Sequence, residues 1–439
     1  MGGGRSRQPR RRGAGGSGNV VSVRGEGVST LESIVIIGAG HTGGRAAEAL
    51  RGAGFAGRVV LVGEESHLPY ERPPLSKELL AGTMELEKVT LNPESYYDEN
   101  NIQLLLGISA QEIELGLGRV RLSDDTDVAF DKLMIATGGR VRRLACPGAD
   151  LHGVYYIRDI NDTLLLRPEL RDGVRVAVIG GGFIGLEVAA TARRRGCHVT
   201  VIELADQVLA RVADPAVGAL VADIHHAEGV HIVTGASVER IEGDAEVAEV
   251  ICTDGETLEV DVVVVGIGIL PNQEIAAEAG IACGPKGTQG GIKVDEFGHT
   301  SAANVYAAGD VAFHYNPILK RHLRLESWGN AQNSAIAVAR NMVLDPVAYA
   351  EVPWFWSDQF DLNLQVAGAP ETWDRLVVRG DPAAKKGIVF YMTGDRVVGA
   401  TAFNQGREMR FLKKLVETGA PVDDSALADE GKRLRDIAG

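Results

Sequence analysis

The chain has 439 residues, a formal net charge of −14, 24% charged residues and 45% hydrophobic residues. This composition is typical of a soluble globular protein with two or three domains, and the negative charge argues against nucleic acid as a main partner. No apolar run reaches the roughly 18 residues that a membrane span needs, so we expect no membrane partner.

Residues 1–30 predict a disordered basic tail rich in glycine and arginine. The first 28 residues hold six arginines, nine glycines and almost no apolar periodicity, so they cannot bury a core, and they lack the apolar segment of a secretory signal. A basic arm for nucleic acid is an alternative. A further alternative is that the tail results from the choice of a start site that lies too early. Whether residues 1–27 belong to the native protein therefore stays open.

Two similar strand–helix–strand units occupy the body of the chain. The first comprises the strand Ser33–Gly38, the helix His41–Gly54 and the strand Arg58–Gly63. The second begins 142 residues later and comprises the strand Arg175–Gly180, the helix Phe183–Arg195 and the strand His198–Glu203. Short apolar strands followed by helices predict two parallel-sheet, dinucleotide-binding domains of the Rossmann type.

The segments around these units complete an α/β body and a different C-terminal part. The body contains a hairpin over Gly118–Val128, strands over Lys132–Thr137, Val260–Ile269 and Val305–Ala308, and a helix over Asn330–Leu344. The last part alternates over Leu362–Ala367, Arg375–Val378, Gly387–Tyr391 and Val397–Ala402 and ends in a helix over Arg407–Glu417. We therefore predict a first domain over 31–150 and 270–350, a second over 151–269, and a C-terminal α+β domain over 351–439.

The first unit carries a phosphate-binding pattern. Gly38, Gly40 and Gly43 form GxGxxG directly after a strand and at the start of a helix, where backbone N–H groups and the helix dipole favour a pyrophosphate. Glu64 ends the second strand and is suited to accept hydrogen bonds from ribose hydroxyls.

The second unit repeats the pattern with Gly180, Gly182 and Gly185 and ends its strand at Glu203. An acid at that position accepts from a free 2′-hydroxyl and repels a 2′-phosphate, which favours NADH over NADPH. Arg193–Arg195 would argue the other way, but they lie on the helix, where a solvated charge run is the simpler role. Glu187 either complements the helix dipole or lies beside a nicotinamide, and position alone leaves both open.

Six motifs together resemble one known family. They are PYERPPLSK at Pro69–Lys77, IATGGR at Ile135–Arg140, GIGILPN at Gly266–Asn272, YAAGDVA at Tyr306–Ala312, ESWGNAQ at Glu326–Gln332 and FWSDQ at Phe355–Gln359. The chain resembles the FAD-dependent ferredoxin and rubredoxin reductases, which include putidaredoxin reductase and the reductase components of aromatic-ring dioxygenases. The resemblance runs from about Ser33 to about Leu415 and implies a glutathione-reductase-like arrangement with FAD and NADH as cofactors.

The resemblance also implies residue roles. Asp310 would hold the ribityl chain, Thr137 and Gly138 would let the backbone pass close to FAD, and Arg72 and Lys77 would line the isoalloxazine. Glu187 would face Lys77, and both would be catalytic together with Trp328 at the flavin edge. Further cofactor contacts implied by the matching motifs are Trp356, Ile184 and Gly268.

The implied activity is hydride transfer from NADH and delivery of single electrons to an acidic two-iron two-sulfur ferredoxin that feeds an oxygenase. Two alternatives stay open: a reductase of a small acceptor such as a quinone or monodehydroascorbate, and a redox-sensing binding protein like apoptosis-inducing factor. We expect a monomer or weak dimer. The candidate ferredoxin dock comprises Arg407, Arg410, Lys413 and Lys414 with Lys320, Arg321 and Arg324.

The spacing and positions of the four cysteines argue against several kinds of reaction and metal site. Cys146, Cys197, Cys252 and Cys283 lie too far apart for a CxxC pair, a compact metal site or a local iron–sulfur cluster, and they fit a reducing cytoplasm. The segment Pro73–Leu80, where disulfide-reducing relatives in the wider flavoprotein superfamily carry cysteines, has none. We therefore expect no thiol mechanism and no metal site.

Overall fold

A computed structural model of the chain describes Met1 and residues 31–285 and 290–439. The predicted tail over 1–30 therefore lies outside the described residues, apart from Met1. Residues 32–439 form one unit, and the following description concerns that unit.

A parallel five-stranded sheet forms the first half of the body. Its strands, in spatial order, are Val305–Ala307, Lys132–Ile135, Ser33–Ile37, Arg58–Gly63 and Ile102–Leu106. The central strand is buried because it has neighbours on both edges, contacts the helix His41–Gly52 and packs through Val35 and Ile37 against an apolar cluster that includes Val120 and Leu122; Ile34, Val35 and Ile36 are fully buried. Each such side chain contributes about 1.5–3 kcal/mol by leaving water.

A second parallel sheet repeats this arrangement. Its strands, in spatial order, are Val230–Thr234, His198–Glu203, Arg175–Ile179, Val262–Val265 and Val154–Tyr156. Ser33 is paired with Arg58 in the first sheet and Arg175 with His198 in the second, so the two units also share their register. The predicted recurrence of a strand–helix–strand unit is therefore confirmed, and the structure adds that equivalent residues of the two units are paired in the same way.

Smaller sheets flank the two parallel ones. Two are antiparallel and three-stranded: Ala110–Glu114, Arg119–Leu122 and Asp127–Ala129, and Val238–Glu242, Glu249–Cys252 and Thr257–Glu259. A third joins Ile292–Val294, Ala312–Asn316 and Arg321–Leu323. The hairpin expected over Gly118–Val128 is thus the second and third strands of a three-stranded sheet.

The single strand expected over Val260–Ile269 is wrong. The chain forms Val262–Val265 in the second parallel sheet and then Ile269–Pro271, which pairs with Gly139–Val141 in a separate two-stranded sheet. Gly266 and Gly268 separate the two strands, and Gly268 has a φ of +98°, which a continuous strand does not allow. The apolar run therefore contains a turn that its hydrophobicity hides.

The C-terminal part is an antiparallel five-stranded sheet. Its strands, in spatial order, are Trp354–Gln359, Leu362–Gly368, Arg396–Phe403, Lys386–Thr393 and Arg375–Asp381. The strand Trp354–Gln359 was not predicted as an element. Its sequence has three aromatic residues followed by three polar ones, so it lacks the alternation of apolar and polar residues that predicts a strand.

Helices connect and cover these sheets. The α-helices are His41–Gly52, Glu78–Ala81, Glu94–Glu99, Ile160–Leu166, Phe183–Arg194, Pro215–Ala227, Glu274–Glu278, Trp328–Val343, Met409–Thr418, Asp424–Ala428 and Leu434–Ala438. Short 3₁₀ turns lie at Pro73–Ser76, Leu86–Val89, Gly309–Val311 and Gly406–Glu408. The predicted fold class, two Rossmann-like parallel units with a C-terminal α+β part, is confirmed.

Two packing contacts position the candidate site. The helix His41–Gly52 packs against the helix Trp328–Val343, and the helix Phe183–Arg194 packs against both the turn Pro73–Ser76 and the strand Trp354–Gln359. The second contact brings together segments from both parallel units and the C-terminal sheet.

Candidate functional site

The two glycine-rich turns have nearly identical geometry. Gly38 and Gly180 have φ values of +109° and +107°, a region that disfavours side chains. A Cβ on Gly43 would lie 1.9 Å from the Gly38 carbonyl oxygen, and one on Gly185 would lie 2.0 Å from that of Gly180. The first and third glycines of each motif are therefore required by the turn and by the close packing of helix on strand.

The middle glycines have a different requirement. A Cβ on Gly40 would meet only the Arg72 Nη2 atom, at 3.7 Å, and one on Gly182 would meet nothing within 4 Å. Their φ values of −80° and −81° suit any residue. Neither conformation nor packing within the protein demands glycine there, so each leaves an open cradle at a helix N-terminus of the kind that admits a pyrophosphate.

Glu64 and Glu203, the acids at the ends of the second strands, differ in their hydrogen bonds. Glu64 is exposed and, within the described residues, makes no hydrogen bond or ion pair, so its carboxylate is available to ribose hydroxyls. Glu203 accepts hydrogen bonds from the backbone N–H groups of Gly181 at 2.6 Å and Ala205 at 2.8 Å. Its carboxylate is held against the glycine-rich turn and keeps unused acceptor capacity on both oxygens.

A cluster of charged groups surrounds the first cradle. Arg72 donates to Glu65 at 2.7 Å, to the Tyr70 hydroxyl at 2.9 Å and to the Arg158 carbonyl oxygen. The guanidinium of Arg158 lies 3.7 Å from Asp310. Burial raises the pKa of the Asp310 carboxyl, and the positive charge of Arg158 opposes that shift.

Two arginines therefore converge on the turn segments that carry candidate cofactor residues. A Cβ on Gly138 would lie 3.2 Å from the Arg158 Nη2 atom, and a Cβ on Gly40 would lie 3.7 Å from the Arg72 Nη2 atom. Thr137, next to Gly138, donates to the Asn272 carbonyl oxygen at 2.7 Å and accepts from its side-chain amide at 3.0 Å through its own carbonyl. The sequence did not single out Arg158 or Glu65, which lie outside the six motifs, or Tyr70, which lies within Pro69–Lys77 but was given no role.

Two aromatic residues beside the first cradle have unpartnered polar atoms. Both ring nitrogens of His41 and the indole Nε1 of Trp328 are buried and have no hydrogen-bond partner among the described residues. The two rings lie 5.4 Å apart. Burial, followed by the charges of Arg45 and Arg72, lowers the pKa of His41 to about 4, so this imidazole is neutral at pH 7. Buried polar atoms normally have partners, and an acceptor-rich cofactor would supply them.

Lys77 and Glu187 form an ion pair between the two parallel units. The Lys77 Nζ atom lies 3.7 Å from Glu187 Oε1 and 3.4 Å from Asp358 Oδ2, and its side chain is 11% exposed. Glu187 is 5% exposed. Burial raises the pKa of Glu187, while Lys77 and hydrogen bonds from Ser76 and Ser357 oppose that rise. The structure thus brings together the lysine and glutamate that sequence similarity had paired.

Aromatic rings pack around this pair. The Lys77 ammonium lies 5.6 Å from the centre of the Trp356 ring, and Trp356 packs edge-on against Trp328 at 5.5 Å and stacks with Trp354 at 5.2 Å. Trp328 and Trp356, predicted separately, therefore belong to one cluster.

The remaining predicted contacts lie around the second cradle. Ile184 is 45% exposed at the start of the helix Phe183–Arg194, so its side chain is accessible beside this cradle. A Cβ on Gly268 would lie 3.4 Å from the Arg211 guanidinium. Arg211, not selected from the sequence, is exposed and makes no hydrogen bond or ion pair within the part of the chain that the structure describes. It adds a cation beside this cradle.

These observations fit two dinucleotides. The open middle glycines, the paired arginines, the unpartnered His41 and Trp328 nitrogens and the uncommitted Glu64 match what FAD needs at the first site. The second cradle with Glu203 and Arg211 matches what NAD(P)H needs.

Other site types find less support. All four cysteines are unpaired thiols, and none lies in the segment Pro73–Leu80. Among residues 31–285 and 290–439, no group of three or more His, Cys, Asp and Glu side chains is placed to hold a metal ion. In that same part of the chain, every helix is too short or too polar to cross a bilayer.

The candidate docking residues do not all reach the surface. The Arg324 side chain is 3% exposed, pairs with Glu326 and donates to the Asp310 carbonyl oxygen, so it does not belong to an exposed basic patch. Arg321 pairs with Glu371 at 2.6 Å. Arg407 and Arg410 are exposed, and the Arg410 guanidinium lies over the Phe411 ring.

One contact links the C-terminal basic segment to the helix that begins at Trp328. Lys413 lies 4.0 Å from Glu351, and Glu351 accepts a hydrogen bond from Asn333 on the helix that begins at Trp328. The helix Met409–Thr418 is thereby tied to the helix that carries Trp328. Lys414 donates to the carbonyl oxygen of Gly439.

Comparison with known proteins agrees with this geometry. Residues 32–335 match the family model described as pyridine nucleotide-disulphide oxidoreductase, and residues 354–438 match the one described as reductase C-terminal. The ferredoxin–NAD(+) reductase component of the anthranilate 1,2-dioxygenase system of Burkholderia cepacia is 42% identical over 91% of this chain and 98% of its own. Putidaredoxin reductase of Pseudomonas putida is 37% identical over 92% of this chain and 96% of its own.

Solved structures give the same result. The ferredoxin reductase for the CYP199A2 system from Rhodopseudomonas palustris has a TM-score of 0.89 and 36% identity, covering 93% of this chain and all of the other. The covalent putidaredoxin reductase–putidaredoxin complex has a TM-score of 0.88 and 37% identity, covering 92% and 98%.

Proposed function

The chain belongs to the pyridine nucleotide-disulphide oxidoreductase family, and from that premise we propose that it is an FAD-dependent reductase that takes hydride from NADH and passes single electrons to a small iron–sulfur ferredoxin. Membership confirms the resemblance seen in the motifs and makes the protein an oxidoreductase that binds FAD and NAD(P)H. The choice of NADH and the nature of the acceptor are the finer parts of the proposal.

The observation that carries the proposal is the Lys77–Glu187 pair. Lys77 comes from the first parallel unit and Glu187 from the helix that starts at the second phosphate cradle, and their charged atoms lie 3.7 Å apart. The two nucleotide sites therefore converge on one buried ion pair, as expected if both cofactors react there.

The chain's own residues would hold the cofactors and their charges. Arg72 and Arg158 would face the FAD pyrophosphate, and Glu64 would accept from its ribose. When bound, FAD supplies the chemistry that accepts a hydride and releases electrons one at a time. Lys77 would hold a positive charge at the isoalloxazine, where negative charge develops, and Glu187 would keep that lysine ionised and in place.

Glu203 supports NADH as the donor. Its carboxylate is fixed by two backbone N–H groups beside Gly182, at the place where this fold binds the adenosine ribose. A 2′-phosphate there would meet a fixed negative charge.

A ferredoxin acceptor is supported by the relatives and by one local feature. Several relatives are named as ferredoxin reductases, and one related structure is a covalent complex with putidaredoxin. Trp328 and the exposed Arg410 lie on helices tied together through Glu351, and the exposed Arg407 lies in the turn just before the second of these helices. We propose that this surface docks an acidic two-iron two-sulfur ferredoxin to a monomer or weak dimer.

Anaerobic half-reactions test the proposal. Purified protein should contain one FAD per chain, NADH should bleach the flavin absorbance, and the reduced protein should then reduce a two-iron two-sulfur ferredoxin faster than it reduces a quinone. Colourless protein that cannot be reconstituted with FAD would refute the whole function. Faster reduction of a quinone than of any ferredoxin tested would instead favour a small-molecule acceptor.

A further inference from the structure

A continuous chain of buried polar side chains leads away from Glu187. Ser357 Oγ lies 2.7 Å from Glu187 Oε1, Gln359 Nε2 lies 3.0 Å from Ser357 Oγ, and His225 Nε2 lies 2.8 Å from Gln359 Oε1. Ser357, Gln359 and His225 are all fully buried. The chain starts on the helix Phe183–Arg194, crosses the first strand of the C-terminal sheet and ends on the helix Pro215–Ala227.

The ionised carboxylate fixes the direction of every hydrogen bond in this chain. A carboxylate only accepts, so the Ser357 hydroxyl must donate to Glu187. The Ser357 oxygen is then left to accept, which places the amide nitrogen of Gln359 on that side and its oxygen toward His225. His225 must therefore donate through Nε2–H, and its neutral tautomer is set by a carboxylate three links away.

Protonation of Glu187 would remove this constraint. A neutral Glu187 with its proton on Oε1 would donate to Ser357, and the direction of the whole chain would then reverse, which requires a rotation of the Gln359 amide and a tautomer change at His225. A proton on Oε2 would instead displace the hydrogen bond that Ser76 donates there. Because each of these changes happens inside a packed interior, the chain as it stands favours the ionised carboxylate.

Other groups also face the two ends of the chain. At Glu187, Ser76 donates to the second carboxylate oxygen at 2.5 Å, and the charged neighbours are Lys77 and Asp358. At the other end, the Phe360 ring lies 5.1 Å from the His225 ring, with Arg194 over that phenyl ring, and His226 is the neighbouring titratable group. Burial lowers the pKa of His225 to about 4, although its hydrogen bond to Gln359 acts in the opposite direction.

We propose that Ser357, Gln359 and His225 form a positioning relay that keeps Glu187 ionised and aligned with Lys77, so that the C-terminal sheet controls the charge of the ion pair. The inference rests on the proposed function, in which that pair faces the flavin. None of the three relay residues touches substrate; they act through Glu187.

The burial of the relay argues against a purely structural role. Apolar side chains would fill the same interior without the cost of removing an amide, a hydroxyl and an imidazole from water. The Nδ1 atom of His225 is buried and has no partner within the described part of the chain, which is a further cost.

The first test measures the tautomer of His225 and does not depend on turnover. Histidine is labelled with ¹⁵N in the full-length, FAD-loaded protein, and the His225 signals are assigned by their loss in His225→Gln. We expect a neutral imidazole protonated at Nε2 from about pH 6 to pH 8, since its donor role is fixed. A neutral imidazole protonated at Nδ1, or a charged ring in this range, would overturn the relay.

The second test compares Ser357→Ala with two matched variants. Loss of one donor to a carboxylate disfavours the ionised form, so Glu187 should gain a proton at higher pH. In anaerobic stopped-flow with NADH, we expect the acid limb of the pH–rate profile for flavin reduction in Ser357→Ala to move up by about one pH unit, so that the rate falls by about tenfold at pH values below that limb. Ser357→Thr, which keeps the hydroxyl, should restore both.

Thr401→Val is the control for a general effect of removing a buried hydroxyl. Thr401 lies in the same sheet, is fully buried and hydrogen-bonds to the Tyr391 hydroxyl rather than to the relay. The rate of flavin reduction in Thr401→Val, and the acid limb of its pH–rate profile, should match those of the wild type. An unchanged acid limb in Ser357→Ala, or the same shift in Thr401→Val, would overturn the proposal.

The far end of the relay provides a second pair if Ser357→Ala does not fold. His225→Gln keeps a donor of similar reach, whereas His225→Leu removes it; only the leucine variant should move the acid limb upward. Equal acid limbs in these two variants would also contradict the relay. Wild-type flavin reduction by NADH is measured in parallel: if it is absent, the proposed function fails, and if it is present while the variants behave alike, only the relay fails.

Discussion

We expect a single carboxylate, that of Glu203, to decide which nicotinamide nucleotide the second cradle accepts. Glu203 is held by the N–H groups of Gly181 and Ala205, so it cannot swing away from an incoming 2′-phosphate without breaking two charge-assisted hydrogen bonds. Glu64, at the matching place in the first unit, is exposed and has no such fixation among the described residues. The two acids share a sequence position and differ in how firmly the structure holds them.

We therefore expect NADH to exceed NADPH in kcat/KM by at least about tenfold, a ratio that corresponds to about 1.4 kcal/mol. Steady-state kinetics with both nucleotides measure this ratio. Glu203→Gln should reduce it because the fixed negative charge is gone. Equal kcat/KM values for the wild-type protein would show that Glu203 has no part in nucleotide choice.

At the scale of elements, the strand–turn–helix units explain why three glycines of one motif have different roles. Gly43 is required by contact with the Gly38 carbonyl oxygen, whereas Gly40 borders open space beside Arg72. The same division holds between Gly185 and Gly182 in the second unit. Packing within the fold thus requires one glycine of each pair, and we expect ligand binding to require the other.

This division predicts opposite effects for two neighbouring substitutions. Gly40→Ala should leave the melting temperature of the FAD-free protein unchanged and weaken FAD binding by about tenfold or more, because the new methyl group occupies the pyrophosphate cradle. Gly43→Ala should destabilise the fold itself by about 1–3 kcal/mol or more through overpacking. Calorimetry of the FAD-free protein and FAD titration distinguish them, and a large loss of stability in Gly40→Ala would contradict the cradle.

The C-terminal strand Trp354–Gln359 illustrates how an element acquires a role through its neighbours. It lies at the edge of its own sheet but packs against the helix Phe183–Arg194, which brings Trp356 over Lys77 and Ser357 against Glu187. The motif FWSDQ marks this segment as characteristic of the resembling family. Only the packing shows that three consecutive side chains of this strand, Trp356, Ser357 and Asp358, contact the ion pair.

At the scale of the whole molecule, a protein with a net charge of −14 must concentrate positive charge locally to bind an acidic partner. Arg407 and Arg410 are exposed, in the turn before and at the start of the helix Met409–Thr418, and this helix is linked through Glu351 to the helix that carries Trp328. Lys413 is a poorer target for charge reversal than the sequence suggested, because it pairs with Glu351.

Reversal of both exposed charges, Arg407→Glu with Arg410→Glu, should slow ferredoxin reduction most at low ionic strength, because salt screens such charges. Flavin reduction by NADH should be unaffected. Stopped-flow measurement of the two half-reactions over a range of salt concentrations is the test. Arg171→Glu, an exposed arginine of the second unit, is the control; if it slows ferredoxin reduction equally, this surface is not the dock.

Buried neutral histidines predict how the stability of the molecule depends on pH. Burial lowers the pKa of His314 and of His225 to about 4, below the unfolded value of 6.5. Between these values the unfolded chain binds protons that the folded chain does not, so stability is present at higher pH and is lost as the pH falls. Each histidine should reduce the free energy of unfolding by about 2 kcal/mol between about pH 6.5 and pH 5.

Urea denaturation at several pH values measures this dependence. His314→Gln should make the stability less dependent on pH over that range, since one proton-linked group is removed. The same change at exposed His198 should leave the pH dependence as in the wild type. An unchanged pH dependence in His314→Gln would show that this imidazole is not held neutral by burial.

The sequence by itself determined the two dinucleotide-binding units, their glycines and terminal acids, and the C-terminal α+β part. These features depend on local periodicity and on short motifs, in which chemistry and chain direction are set within about 30 residues. The family resemblance added the pairing of Lys77 with Glu187, which no spacing in the chain could give.

Only the tertiary structure decided which distant groups meet. Three examples are the convergence of Arg72 and Arg158, the hydrogen bond from Arg324 to Asp310 and the relay from His225 to Glu187. The residues in each example are separated in sequence by distances that carry no periodic signal. The turn within Val260–Ile269 also became visible only in the structure. These contacts arise because helices and strands from three parts of the chain pack against one another, and a buried charge or amide must then find its partner wherever the packing places one.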